Sequence, residues 1–373
     1  MSSEPALFQP MQIGKIGKVS HRVVMAPLTR YRNTAEHVPM DIVLEYYTQR
    51  ASVPGTLLIT EAIMISPQAS GLPHGPGLWN EEQIAGWKKI VDAVHAKGCF
   101  LVCQLWALGR AARPALFHKE FPDYPYVSAS DIPLEARPND VPKPLTKEEI
   151  KEYLGWFHQA AKTAVDVCGF DGVEVHGASG YLPDQFLQTR SNARTDEYGG
   201  AAANRARFAL EVVDALVAAV GAARVAYRFS PWSTYQDMRM ADDGDVVATF
   251  AHVVDALKAR HPGLAYLHYV TGTSFLNAPP KDPEDLDVIW RHWAPRPTIA
   301  TGGHTRESGL AVAETGQLVG YGSLFIANPD LPFRLKHDVP LNAPDPSTFY
   351  ACMEPKGYID YPFSDAFLNA QKV

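Results

Sequence analysis

Gly172-Val173-Glu174-Val175-His176-Gly177-Ala178-Ser179-Gly180-Tyr181 is the stretch on which the reading of this chain turns. Val173 and Val175 alternate with Glu174 and His176, the period-two pattern of a short strand with two different faces. Gly177 and Gly180 bracket Ala178 and Ser179, so the strand breaks into a turn. An imidazole, a hydroxyl and a phenol then fall within six residues, His176 to Tyr181. A plain strand-to-helix connection needs no such chemistry. In a parallel barrel, catalytic groups gather at the C-terminal ends of the strands. The stretch alone also admits a satisfied histidine and a surface tyrosine, because one short motif matches by chance often enough.

Working outward, strand and helix alternate eight times. Residues 7–22, with Gly14 and Gly17 among alternating apolar positions, predict a small hairpin ahead of the main fold. Apolar runs predict strands over 23–27, 56–60 and 99–106 before the central one. Others follow over 224–230, 265–270, 297–300 and 318–321. Helical spacing covers 41–50 and 81–96, where Ile84, Trp87, Ile90, Val91 and Val94 share a side. Thr146 with Glu149 is a capping box opening a helix that ends near 167. Further helices are expected over 204–220, 245–259, 285–293 and 305–315.

This order predicts an α/β protein: a (β/α)8 TIM barrel with an N-terminal β-hairpin cap, one domain over 1–373. A long Pro-rich loop follows strand three and runs to about Leu145, the length of a lid or binding loop. An open doubly wound sheet is the alternative. It would carry a glycine fingerprint after the first strand, where this chain has Ala26-Pro27-Leu28-Thr29.

Composition narrows the function. The chain is 46% apolar and 20% charged, with a formal charge of −7 and a pI near 6.0. That profile suits a folded protein and lacks the basic footprint of a nucleic-acid binder. No apolar run is long enough to cross a membrane. Residues 1–5 lack the basic and apolar regions of a secretory signal, so a cytoplasmic location is expected. Cys99, Cys103, Cys168 and Cys352 stand without zinc spacing and read as buried free thiols in a reducing compartment, with no metal site.

If the barrel holds, the strand ends face one mouth and their polar content can be read as a set. Strand one offers Thr29, strand three Gln104, strand four His176, and strand five Arg228 and Ser230. Strand seven ends in Thr301-Gly302-Gly303-His304 and strand eight in Gly320-Tyr321-Gly322-Ser323. Glycine-rich loops at these two places often bind a phosphate with backbone N–H groups. Gln104 can offer a donor and an acceptor to a pyrimidine ring, and Arg228 a fixed charge. Arg228 could equally be ion-paired within the barrel core, with Glu174 on the neighbouring strand as partner, and the two readings are compatible.

Val24-Met25-Ala26-Pro27-Leu28-Thr29-Arg30, Glu45-Tyr46-Tyr47-Thr48-Gln49-Arg50-Ala51, Gln104-Leu105-Trp106 and His176 through Leu187 are joined by three further motifs. These are Asn192 through Gly200, Asn204 through Phe208, and Gly357-Tyr358-Ile359-Asp360-Tyr361-Pro362. Together they resemble the old yellow enzyme family of FMN-dependent ene-reductases, in a fungal-type member with a modified active site. The resemblance implies FMN as cofactor and NADPH as reductant. It implies reduction of the activated C=C bond of an α,β-unsaturated carbonyl compound, with a monomer or homodimer as the assembly.

By position, Pro27 and Thr29 would lie near the redox edge of the flavin, Gln104 and Arg228 on its pyrimidine side, and Gly302, Gly303, Gly322 and Ser323 around the phosphate. His176 and Ser179 would bind the substrate oxygen, Tyr181 would donate the proton, and Trp106, Tyr235 and Tyr358 would line the substrate side.

Three departures accompany the resemblance. Ser179 stands where the family has asparagine or histidine, and losing such a donor costs about 3 kcal/mol in other oxyanion sites. Ser323 replaces an arginine against the phosphate, exchanging a charge-assisted bond for a neutral hydroxyl. Ala203 replaces a glutamate, for which there is no functional account. The first two suggest a pocket altered for one bulky or conjugated substrate of a biosynthetic pathway. An FMN-containing isomerase or cyclase with no net redox change is the nearest rival. A flavin-binding barrel without catalysis and a flavin-free hydrolase or aldolase stand further off.

Overall fold

The computed structural model describes residues 4–271 and 281–372. Eight parallel strands form the barrel: β1 Val23–Met25, β2 Leu57–Ile59, β3 Phe100–Trp106, β4 Gly172–His176, β5 Val225–Phe229, β6 Tyr266–Val270, β7 Thr298–Thr301 and β8 Leu318–Tyr321. Each pairs with its neighbour in sequence, and β8 pairs with β1, so the sheet has closed on itself. A short additional strand, Ile63–Met64, runs beside the end of β3 with Ile63 opposite Leu105. The helices between strands lie outside, among them α1 Asp41–Arg50, α2 Glu81–Ala96, α3 Lys147–Lys162, α4 Arg207–Val220 and α5 Asp243–Arg260. The capping box predicted at Thr146 is formed, and Asn80 with Gln83 makes a second at the start of α2.

Period-two alternation sorts the strand residues. Those pointing out pack under the helices in one large apolar cluster. Those pointing in meet a different partner, the N-terminal hairpin Met11–Ile13/Gly17–Val19. Its Ile13, Ile16 and Val19 join Val24, Leu57, Val102, Tyr266 and Ile299 in a second cluster that fills the barrel floor. Gly172 makes this approach possible. A Cβ there would come within 2.6 Å of the Arg224 carbonyl oxygen and 3.1 Å of Ile16 Cγ1. With the floor plugged by hydrocarbon, polar side chains on the inner faces concentrate above it.

The predicted long loop after β3 is partly ordered into a short helix, Pro114–Glu120, and a two-stranded ladder, Val127–Ser128 with Lys143–Pro144. Arginines satisfy carbonyls that a ladder would otherwise need. Arg110 donates to Ile132 and Pro133, and Arg137 to Arg110, Ala111 and Ala112. The C-terminal strap is held the same way. Buried Arg30 and Arg32 donate to the carbonyls of Thr348, Phe349, Glu354 and Gly357. Of the four cysteines expected to be buried thiols, Cys99, Cys103 and Cys168 are buried and free, while Cys352 is exposed. Among the described residues no helix is long and apolar enough to cross a membrane.

Candidate active site

Strand register brings distant residues level. Gln104 lies opposite Glu174, Arg228 lies between His176 and His268, and Thr301 lies opposite Gly320. Glu174, fully buried, accepts from Gln104 Nε2 at 2.7 Å and pairs with His268 Nδ1 at 3.0 Å. His268 Nε2 is hydrogen-bonded to the Thr301 hydroxyl. The ion pair with Glu174 considered for Arg228 is not formed; the carboxylate is held by Gln104 and His268. Arg228 makes no hydrogen bond to any described residue, and its Nε is buried without a partner. Thr29 at the end of β1 is half-buried, as is Pro27.

Above this layer His176, Trp106 and Tyr181 form an aromatic wedge. The rings of His176 and Trp106 stack at 6.2 Å, and Tyr181 meets them edge-on at 4.6 and 4.9 Å. His176 Nδ1 is buried without a partner. Burial, with help from the nearby Arg228 and His268, pushes the His176 pKa well down, so the ring is a neutral donor. Burial pushes the Tyr181 phenol well up, followed by its neighbours Tyr235, Tyr31 and Tyr350.

The turn carrying Ser179 is gripped on every side. Ser179 sits at φ 59°, its N–H donating to Ser230 Oγ at 2.6 Å. The N–H of Gly180 donates to buried Asp184, and Gln185 Nε2 donates to the Gly180 carbonyl. Gln236 Nε2 donates to the Ser179 carbonyl at 2.8 Å from across the site.

The rim is tyrosine. Tyr235 is 44% exposed and Tyr350 64%, and the Tyr350 ring lies 5.8 Å from Tyr31. Tyr358, expected on the substrate side, is instead wholly buried. It stacks on Tyr46 at 4.1 Å, with the guanidinium groups of Arg30 and Arg32 at 5.0 and 4.9 Å from its ring. The planar ring is used there as a packing surface for cations, and Tyr350 takes the place at the rim. Neither Tyr350 nor Gln236 had a signal in the sequence. Their neighbours carry no periodic pattern, and only the fold of the strap and of the loop after β5 brings them here.

At the far side the loops after β7 and β8 lie together because their strands pair. Gly302 and Gly303 have φ of 147° and 77°. A Cβ on Gly302 would reach 2.4 Å from Thr271 Oγ1, so the loop tolerates no side chain there. Gly322 precedes the short helix Ser323–Ala327, with Ser323 exposed at its first position. Among the described residues no group of His, Cys, Asp or Glu could hold a metal ion.

The donor set fits an isoalloxazine. An amide at Gln104, an unshared cation at Arg228, an open hydroxyl at Thr29 and a glycine cradle face one mouth, beside a neutral imidazole and a protonated phenol. Fold and donor set together define a flavin-dependent barrel oxidoreductase. The chain belongs to the NADH:flavin oxidoreductase / NADH oxidase family, the old yellow enzymes, whose profile matches residues 6–342.

It is 46% identical to the chanoclavine-I aldehyde reductase of Penicillium roqueforti, covering 98% of each chain. It is 44% identical to an NADP-dependent oxidoreductase of Aspergillus flavus, covering 96% of each. The solved Old Yellow Enzyme from Pichia sp. AKU4542 superposes with a TM-score of 0.88 at 37% identity, over 98% of this chain and 95% of that one. FMN is accordingly the cofactor.

Proposed function

We propose that residues 1–373 act as one flavoprotein domain that uses NADPH to reduce the activated C=C bond of a small α,β-unsaturated carbonyl compound in a biosynthetic pathway. The observation that carries this reading is the unpartnered buried nitrogen of His176 beside the Tyr181 ring at 4.6 Å. A binding-only barrel needs neither a buried orphan donor nor a phenol set over it. The names of two relatives, an aldehyde reductase and an NADP-dependent oxidoreductase, support the same chemistry, while others at 40–43% identity are named probable inactive reductases or dehydrogenases.

When bound and reduced by NADPH, FMN would supply the hydride for the β carbon. The chain's own groups do the rest. Gln104, Arg228 and Thr29 hold the ring, and Gly302, Gly303, Gly322 and Ser323 accommodate the phosphate. His176 donates a hydrogen bond to the carbonyl oxygen as negative charge gathers there, which lowers the barrier only if the donor is already in place. Ser179 is the second, shorter donor. Tyr181 Oη delivers the proton to the α carbon, and its raised pKa keeps that proton available at neutral pH. Trp106, Tyr235 and Tyr350 exclude water around the reacting carbons. The assembly is a monomer or homodimer in the cytoplasm.

Product analysis with an α,β-unsaturated aldehyde and NADPH tests the reading. A product carrying two more hydrogens supports it. Rearranged product with no NADPH consumed would establish the isomerase instead, and a colourless protein would remove both.

A further inference from the structure

We infer that Glu174 is a positioning residue for the cofactor edge: it decides which way the Gln104 side-chain amide faces, and so places a carbonyl oxygen opposite the flavin N3–H. This rests on the flavin reading above and adds to it a group that touches neither flavin nor substrate.

A glutamine amide is ambiguous by shape, since its oxygen and nitrogen differ only in hydrogen bonding. Glu174 removes the ambiguity. An ionised carboxylate only accepts, so the end of Gln104 that lies 2.7 Å from Glu174 Oε1 must be the NH2 end. Three neighbours keep the carboxyl ionised. Burial pushes its pKa up, but His268, Arg228 and Gln104 together outweigh burial and bring it below the usual carboxylate range. Gln104 Oε1 is then turned the other way, and no described group donates to it. Gln104 is held along its backbone as well, its N–H donating to Thr60 Oγ1 at 3.0 Å.

The rest of the cluster runs in one sense. The Thr301 hydroxyl donates to His268 Nε2, His268 Nδ1–H donates to Glu174, and Gln104 donates to Glu174 from the other side. Burial, opposed by Glu174, keeps His268 on the neutral side, which this tautomer requires. Side chains from four strands, β3, β4, β6 and β7, are thereby locked one to another. Such a network is costly to bury unless every member is satisfied, and an apolar layer like the floor beneath would serve packing alone. Arg228 makes no hydrogen bond to Glu174, while the nearby carboxylate partly offsets its charge.

The test uses FMN and N3-methyl-FMN titrated into apoprotein of the wild type, Glu174→Gln and Glu174→Asp, with midpoint potentials of the loaded proteins. The wild type should prefer FMN on the order of tenfold or more, the effect of one buried acceptor left without its donor. Glu174→Gln, whose own amide can face either way, should narrow that preference to roughly threefold or less. It should also move the midpoint potential positive, because the charge beside Arg228 is gone. Glu174→Asp keeps the charge but shortens the reach. It should narrow the preference while holding the potential near that of wild type.

A purely structural role would leave preference and potential untouched. An unchanged preference and potential in folded Glu174→Gln overturns the inference. If that variant does not fold, an unchanged preference in Glu174→Asp does so. Failure of the wild type to take up FMN at all would instead overturn the flavin reading, and the first titration separates the two.

Discussion

At the scale of single residues, the three side chains on one turn to which the proposed reaction is assigned, His176, Ser179 and Tyr181, owe their chemical state to their environments. His176 is uncharged because it is buried beside Arg228, so it can donate a hydrogen bond but holds no proton to spare. Tyr181 keeps its proton for the same reason of burial. Tyr181→Phe removes the phenolic proton of the ring that meets His176 edge-on. Turnover of the carbonyl substrate should fall by ~10²–10⁴, while NADPH still bleaches the flavin at the wild-type rate in a stopped-flow trace. A parallel loss in both steps would mean that the ring matters for packing instead. Ser179 is at φ 59°, a region that asparagine enters more easily than serine. Ser179→Asn restores a longer donor without straining the turn. Turnover of a simple enone such as cyclohexenone should rise about tenfold, part of the ~3 kcal/mol that one oxyanion donor contributes elsewhere.

At the scale of elements, the barrel strands are short and their ends are held by groups from neighbouring loops. Glu61, just past β2, receives the Arg30 N–H at 3.3 Å, while its other oxygen is buried without a partner. Arg30, Arg32, Asn33, Tyr47 and Tyr358 surround it. Burial outweighs their help and pushes its pKa up to about 7. The folded pKa is raised above the unfolded 4.5, so the contribution to stability is complete below 4.5 and disappears as pH climbs through 7. Relative to Glu61→Gln, the wild type should lose up to about 3 kcal/mol between pH 4.5 and 8, as 1.36 kcal/mol per unit implies. Chemical denaturation of both proteins at the two pH values measures it, and parallel curves would contradict the burial argument. The loop after β5 shows another kind of hold. Gln236, Asp237 and Arg239 all have φ between 58° and 74°, and Arg110 anchors the Gln236 carbonyl. Strain of this kind persists only where surrounding contacts impose it, and here it sets the Gln236 amide against the Ser179 carbonyl.

At the scale of the whole molecule, the hairpin separates two kinds of interior. Below, Ile13, Ile16 and Val19 seal the barrel floor with hydrocarbon; above, the inner faces are free to be polar. Ile16→Ala opens a void against Gly172 and should cost about 2–5 kcal/mol, read as a lower denaturation midpoint. The absorption spectrum of bound FMN should not change, because the polar layer lies between the void and the ring. A shifted spectrum would mean that floor and mouth are coupled.

What the sequence determined by itself is the succession of elements, together with a set of candidate groups at the strand ends. Apolar runs, the capping box at Thr146, and glycine pairs after β7 and β8 are local signals, and local forces act on neighbours in the chain. Gln104, His176 and Arg228 were legible as candidates because each falls on a recognisable strand, and Tyr181 because it follows one of them by a glycine-marked turn. Only the tertiary structure decided which buried groups pair. The sequence offered Glu174 as a possible partner of Arg228, yet it holds Gln104 and His268, since the choice among partners depends on distances across the barrel. Likewise Tyr358 packs inside and Tyr350 stands at the rim. Both are tyrosines on one irregular strap, and nothing periodic in a strap tells the buried ring from the exposed one. The physical reason is the same in both cases. Burial is a property of what surrounds a side chain, and the surroundings come from segments distant in the chain, as where Arg30 and Arg32 pack on the Tyr358 ring.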